Sequence, residues 1–133
     1  VYTPAWRFNL RRMLRRGSGG LLELGALAGT WTIRCRHFAG RQLVPLDQIR
    51  GSESRVHDFD GAFRPRGWDT AERWRRVAEA WLEGVALPPV ELIRVGDVYF
   101  VRDGHHRISV AAAYGAREID ALVTVWEVEG ALP

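Results

Sequence analysis

Lysine is absent from this chain, and all 19 of its basic residues are arginine. Arginine presents a planar fork of donors that matches a phosphate group, so selection for phosphate contacts is one explanation. The coding bias of a GC-rich genome is the other. The 16 acidic residues leave a formal net charge of +3, which is too small to indicate nucleic-acid binding by itself.

Cysteine is nearly absent, because Cys35 is the single one. An intramolecular disulfide framework is therefore excluded, and a reducing compartment fits, so we expect a cytoplasmic protein. No apolar run reaches the ~18 residues of a membrane-spanning helix, so we expect no transmembrane segment. The basic N-terminus is not followed by the apolar stretch and cleavage site of a signal peptide.

The 133 residues are 47% hydrophobic, which suits one domain with a substantial core. The pattern of short strands and helices predicts an α+β fold, a small mixed sheet with packed helices. We divide the chain into an N-terminal basic helical extension, residues 1–40, and a compact domain, residues 41–133.

Residues 4–16 of the extension have the spacing of an amphipathic helix. Its polar side carries five arginines: Arg7, Arg11, Arg12, Arg15 and Arg16. Such a helix can contact nucleic acid or an anionic membrane, or it can dock on its own domain or on a second subunit of a homodimer. Residues 21–28 suit a short second helix, whereas residues 31–38 fit a strand and a helix equally well.

The pattern of the compact domain is clearer. The final third contains two strands around a Gly96-Asp97 turn, typical of a hairpin. We predict, in order, a strand over 42–46, a turn at 47–49, a long loop over 50–68, a helix over 70–83, strands over 90–95 and 98–102, a helix over 104–114 and a strand over 118–128.

The strongest motif is Asp103-Gly104-His105-His106-Arg107, where a predicted strand runs directly into a helix. The first backbone N–H groups of a helix lack helical partners and favour an anion, so a phosphate fits there. Gly104 lets the backbone approach the phosphate, and Arg107 offers a planar fork. The histidines can donate hydrogen bonds or move protons. Asp103 can cap the helix, orient a histidine or help hold magnesium.

Taken singly, the residues of this motif can also have purely structural roles, since an Asp-Gly pair before a helix is often only a cap and a turn. A cap does not require His-His-Arg, however, so the combination favours a site. A zinc site is disfavoured, because side chains of adjacent histidines diverge by about 100° on a helix. Cys35, His37 and His57 show no ligand spacing. We therefore predict no bound metal at the histidines.

Asp103 to Arg107, with the small-residue helix behind it, resembles the phosphate-binding motif of the ParB/sulfiredoxin superfamily. Sulfiredoxins have Gly-Cys-His-Arg in this place and ParB proteins Gly-Glu-Arg-Arg. The free-serine kinases of the superfamily have a segment closer to Asp-Gly-His-x-Arg, which this sequence resembles best. The resemblance covers roughly residues 41–126 and includes Val44 to Ile49 and Pro88 to Leu92.

The resemblance implies that Gly104, His105, His106 and Arg107 hold the phosphates of ATP, ADP or CTP, with Mg²⁺. It makes Asp103 and His105 catalytic candidates, His105 standing where sulfiredoxins have their reactive cysteine. By analogy with the serine kinases, Glu53 is the candidate base on an acceptor hydroxyl. Arg55 and Asp58 are candidates for contacts to substrate, phosphate or magnesium.

Two departures from the superfamily narrow the function. Without cysteine at position 105, sulfinic acid reduction by a sulfiredoxin mechanism is excluded, and no helix-turn-helix region follows the domain. The leading hypothesis is a nucleotide-binding phosphotransferase or nucleotide hydrolase. The alternatives are a non-catalytic nucleotide-gated or DNA-associated adaptor, and a nuclease.

Overall fold

The structure, a computed structural model, describes residues 20–130. The helix predicted over residues 4–16, with its five arginines, lies outside the described residues. Among the residues described, no helix is long and apolar enough to cross a membrane.

Six strands form one mixed sheet in the order β1-β3-β5-β4-β6-β2. In chain order the strands are β1 (Leu22–Glu23), β2 (Thr32–Pro45), β3 (Ile49–Ser52), β4 (Val90–Val95), β5 (Val98–Asp103) and β6 (Glu118–Glu129). Within residues 20–130 the helices are α1 (Leu24–Ala28), α2 (Trp68–Leu82) and α3 (His105–Ala113), with a 3-10 turn at Leu46–Gln48. The predicted α+β class is confirmed.

Strands β4 and β5 form the centre of the sheet and the predicted hairpin. They pair antiparallel, and β4 also pairs parallel with β6. Their side chains alternate between two cores, since Leu92 and Val101 pack in one and Ile93 and Phe100 in the other. Burial on both faces explains why these segments read as nearly continuous apolar runs.

Helices α2 and α3 pack against each other beside the first of these cores. The Trp74 Nε1 donates a hydrogen bond to Ser109 Oγ over 2.9 Å. The Tyr114 ring stacks on both Trp74 and Trp81, with centroid distances of 6.4 and 6.1 Å. These contacts fix the polar side of α2 relative to the beginning of α3.

The predicted boundary between residues 40 and 41 falls inside β2 and is corrected. Residues 32–45 form one strand that pairs antiparallel with β6, from Thr32 opposite Glu129 to Pro45 opposite Glu118. Residues 22–23 and 32–40 therefore belong to the sheet, with α1 between them, rather than to a separate extension. The sequence predicts a strand only over residues 42–46 and leaves residues 31–38 open between strand and helix, because β2 lies at the sheet edge with most of its side chains exposed, which removes the usual apolar alternation.

The loop predicted over residues 50–68 is also corrected, because residues 49–52 form β3, parallel to β5. Arginine, glycine and serine are weak strand formers, so only the pairing reveals this strand. The rest of the segment is ordered by the Asp60 carboxylate, which accepts hydrogen bonds from the backbone N–H groups of Ala62 and Arg64. Within this segment, the side chains of Phe59 and Phe63 are completely buried.

We predict that Gly51→Ala destabilises the protein by about 1–3 kcal/mol through overpacking. A Cβ at position 51 would lie 2.4 Å from Phe100 Cδ2 and 2.7 Å from the Leu22 carbonyl oxygen. Urea denaturation followed by tryptophan fluorescence measures the change. Gly25→Ala is the matched control, because its Cβ would meet nothing closer than 3.8 Å in a helix and should stabilise by up to about 1 kcal/mol. Equal effects of the two substitutions would contradict this packing argument.

Candidate functional site

The sheet topology brings three chain segments to one edge. Because β3 and β5 are parallel, with Ser52 opposite Val101, both strands end at the same edge of the sheet. Because β4 is antiparallel to β5, its beginning at Val90 lies at the same edge. The carboxyl edge of parallel strands is where open α/β sheets commonly bind ligands.

Gly104 makes the turn from β5 into α3. Its φ is +107°, and a Cβ there would lie 2.5 Å from Val90 Cγ1, so glycine is required both by conformation and by space. Gly104 is the N-cap of α3, with no side-chain cap hydrogen bond. Asp103 is therefore not the cap; its carboxylate instead pairs with Arg107 at 3.1 Å. The beginning of α3 thus keeps backbone N–H groups without a side-chain cap.

His105 is buried under the loop before α2. Its ring stacks on Phe59 at a centroid distance of 5.6 Å, and its Nε2 lies 2.7 Å from Ser52 Oγ. Ser52 Oγ also accepts hydrogen bonds from the backbone N–H groups of Ser54 and Arg55. Since both lone pairs of the hydroxyl are used, its proton points to His105 Nε2. His105 therefore carries its own proton on Nδ1.

Both histidines are held in the neutral form. Burial, followed by the charge of Arg55 and the proximity of His106, lowers the pKa of His105 to about 4. Burial, followed by the charges of Arg55 and Arg73, also lowers the pKa of His106. The His106 Nε2 is buried and has no hydrogen-bond partner among the described residues. Such an atom is uncommon in a folded protein and is accounted for when a ligand or a water binds it.

A cleft of about 370 Å³ lies between the beginning of α3 and helix α2. His105 and His106 line it, and Asp103 is the acidic residue among its described lining residues. An adjoining hollow of about 530 Å³ shares three arginines with the cleft and is also lined by Asp58. Five arginines surround the cleft: Arg55, Arg73, Arg76, Arg102 and Arg107. These five positive charges thus lie where the helix end also favours an anion.

The sequence analysis predicts that Arg107 binds a phosphate. In the structure, two of its guanidinium nitrogens are already hydrogen-bonded within the protein. Its Nη1 donates to the carbonyl oxygens of Pro88 and Pro89, at 2.8 and 3.0 Å, and its Nη2 pairs with Asp103. Arg107 therefore ties the segment before β4 to helix α3 while its charge still faces the cleft.

Two arginines that the sequence analysis did not single out are freer to bind a ligand. Among the residues described, Arg73 forms no ion pair, and Arg76 has one contact at 3.7 Å, to Glu72. They lie three residues apart on the polar side of α2, and this spacing was the available signal. It was not recognised because a charged helix side is usually only solvated.

The structure places the remaining predicted residues at or beside the cleft. Arg55 lines it, and its Nε donates to Asp58 over 2.7 Å. Glu53 follows β3 at the rim and pairs with Arg102, 3.3 Å away, which also lines the cleft. The sequence prediction thus named residues that the fold brings together, although it gave no role to Ser52, Arg73, Arg76 or Arg102.

A scan against protein-family models and a search of curated proteins both gave no match. Among solved structures, the chain is similar to sulfiredoxin from Arabidopsis thaliana, with 18% identity, a TM-score of 0.47, and coverage of 62% of this chain and 82% of sulfiredoxin. It is also similar to a Pnob8-like ParB-N domain, with 12% identity, a TM-score of 0.47, and coverage of 73% of this chain and 31% of the other. At these identities both similarities concern the fold alone.

We predict that the protein loses stability as the pH falls from about 6.5 toward 4. The pKa of His105 is about 4 in the folded state and about 6.5 in an unfolded chain, so in this window only the unfolded state takes up the proton. The linkage relation gives a loss of roughly 2 kcal/mol between pH 7.5 and pH 5. Urea denaturation at both pH values measures it.

His105→Gln should remove most of this pH dependence, because glutamine can still contact Ser52 but does not titrate. His57→Gln is the matched control, since His57 is exposed, and it should keep the slope of the unsubstituted protein. An unchanged slope in His105→Gln would show that other groups cause the loss.

Proposed function

We propose that this protein binds the phosphate groups of a nucleotide in the cleft at the beginning of α3. One observation carries the proposal: five arginines converge on a helix N-terminus that has no side-chain cap. Backbone N–H groups at such an end and guanidinium groups both favour a phosphate.

The residues divide into two roles. The N–H groups of the first turn of α3, together with Arg73 and Arg76, contact the phosphates directly, because these donors are the least engaged within the protein. Arg107 and Ser52 are positioning residues. Arg107 holds the segment before β4, and Ser52 holds the His105 ring.

The size of the site favours a nucleotide over a single inorganic phosphate. The cleft and the adjoining hollow, of about 370 and 530 Å³, share Arg55, Arg73 and Arg76. Both volumes fall in the range of ~300–1,000 Å³ that organic ligands occupy in proteins. The resemblance of the motif to nucleotide-binding relatives supports the same conclusion.

We predict that Arg73→Gln and Arg76→Gln each weaken nucleotide binding about tenfold or more. A hydrogen bond to a charged group contributes ~1.5–3 kcal/mol, which corresponds to this factor. Calorimetry with ATP, ADP, CTP and GTP, each with and without Mg²⁺, identifies the ligand and measures the change.

Arg75→Gln is the matched control, because Arg75 lies on the same helix, pairs with Glu72 and Glu79, and is not among the residues that line the cleft. Its affinity for the nucleotide should be unchanged. A lack of binding by the unsubstituted protein to all four nucleotides, or equal losses in all three variants, would overturn the site.

Magnesium would have to be held chiefly by the nucleotide. The carboxylates near the site, Asp58 and Asp103, are each paired with an arginine, and among the described residues no three ligating side chains cluster at the cleft. Mg²⁺ commonly keeps several waters and binds through phosphates with few protein ligands. The same lack of a carboxylate cluster disfavours the nuclease alternative.

We further propose that the protein catalyses phosphoryl transfer from the bound nucleotide to an acceptor hydroxyl. The hydroxyl oxygen of an acceptor attacks the terminal phosphorus, the bond to the nucleoside diphosphate breaks, and the hydroxyl proton passes to the Glu53 carboxylate. The position of Glu53 at the rim, beside Arg102, supports this role. The arginines would stabilise charge on the transferred group, and positioning would supply most of the rate.

We predict that Glu53→Gln keeps nucleotide affinity and lowers turnover by about 10²–10⁴-fold, the usual contribution of a general base. The measurement is release of nucleoside diphosphate in an acceptor screen that begins with free serine, with affinity measured in parallel. Full turnover by Glu53→Gln would remove Glu53 as the base. Tight binding without turnover by the unsubstituted protein would favour the nucleotide-gated adaptor.

A further inference from the structure

Three metal-ligating side chains lie together near the β2 edge of the sheet, which is the edge opposite to β1 and β3. Cys35 and His37 are two residues apart on β2, so their side chains project from the same face. Glu127 on β6 is the register partner of Cys35, and side chains of such partners lie close together. One ligand atom from each residue lies within 4.8 Å of the others, and all three side chains are exposed.

The geometry points to a binding site for one Zn²⁺ formed by Cys35, His37 and Glu127. Sulfur, nitrogen and carboxylate oxygen are the donors that zinc takes in proteins. Two of them bound tetrahedrally through bonds of ~2.3 Å to sulfur and ~2.0 Å to nitrogen lie roughly 3.5 Å apart. The Cys35 Sγ and His37 Nδ1 are 3.7 Å apart, so the pair needs almost no movement to bind one ion.

The charges around the three residues leave the ligands available. Glu127 makes no ion pair with any described residue, whereas Glu129, two residues along the same strand, is engaged by Arg34. Arg36 does not compete for Glu127, because its guanidinium lies over the Trp126 ring, 4.6 Å from the centroid.

The site would leave one coordination position open. Among the described residues three side chains form the cluster, and a water or another ligand would complete a tetrahedral set. A bound ion would join β2 to β6. Because β4 and β6 separate β2 from β5, this site is distinct from the nucleotide cleft.

The test uses the full chain, reduced and freed of metal with a chelator, and titrated with Co²⁺ and then Zn²⁺. We expect one Co²⁺ per chain, with a thiolate-to-cobalt charge-transfer band and the visible bands of a tetrahedral ion, and displacement by Zn²⁺. Since loss of even an outer-shell partner costs ~10–100-fold in affinity, loss of a ligand should cost at least as much. His37→Gln and Glu127→Gln should show this loss, and Cys35→Ser should lose the charge-transfer band.

Glu129→Gln and His57→Gln are the matched controls, since they remove a carboxylate and an imidazole outside the set, and they should bind as the unsubstituted chain does. Circular dichroism checks that each variant folds. Absence of a thiolate–cobalt band, half an ion per chain, or affinity unchanged by His37→Gln and Glu127→Gln would each overturn a three-ligand site within one chain.

Discussion

The parallel pairing of β3 with β5 is the contact on which the candidate site depends. It brings Phe100 so close to Gly51 that a Cβ could not fit between them. The same pairing ends both strands at one edge and carries Ser52 to within 2.7 Å of His105 Nε2. Without this strand pairing, the motif that follows β5 would lack its contact with Ser52 and would be an ordinary helix N-terminus.

Charge and burial act together at the cleft. Five arginines within one small region repel one another and disfavour any further positive charge. Burial, followed by the charge of Arg55, lowers the pKa of both His105 and His106, and the charge of Arg73 also lowers that of His106. Several arginines are partly balanced by carboxylates at the rim, such as Glu53 and Asp103. A bound phosphate would supply further balance within the cleft.

The two ends of the sheet offer different chemistry because they are built differently. At the cleft, a loop and two helices cover the carboxyl ends of parallel strands, which buries the histidines. At the opposite edge, β2 and β6 form a long antiparallel ribbon, and side chains from opposed positions meet in solvent. Cys35 and His37 are too far in sequence from Glu127 for any spacing rule to connect them, and only strand register does so.

The sequence by itself determined the central hairpin, both longer helices and the strand–glycine–helix motif, because each depends on a local signal. The Gly96-Asp97 turn, the apolar stripe around Trp74 and the small residues after Arg107 are of this kind. Only the tertiary structure decided that β2 begins at Thr32 and that residues 49–52 form a strand, since most residues of these segments carry weak local preferences and pairing overrides these. It also decided that Arg73 and Arg76 face the motif, because the packing of Trp74 and Trp81 on α3 sets how α2 is turned.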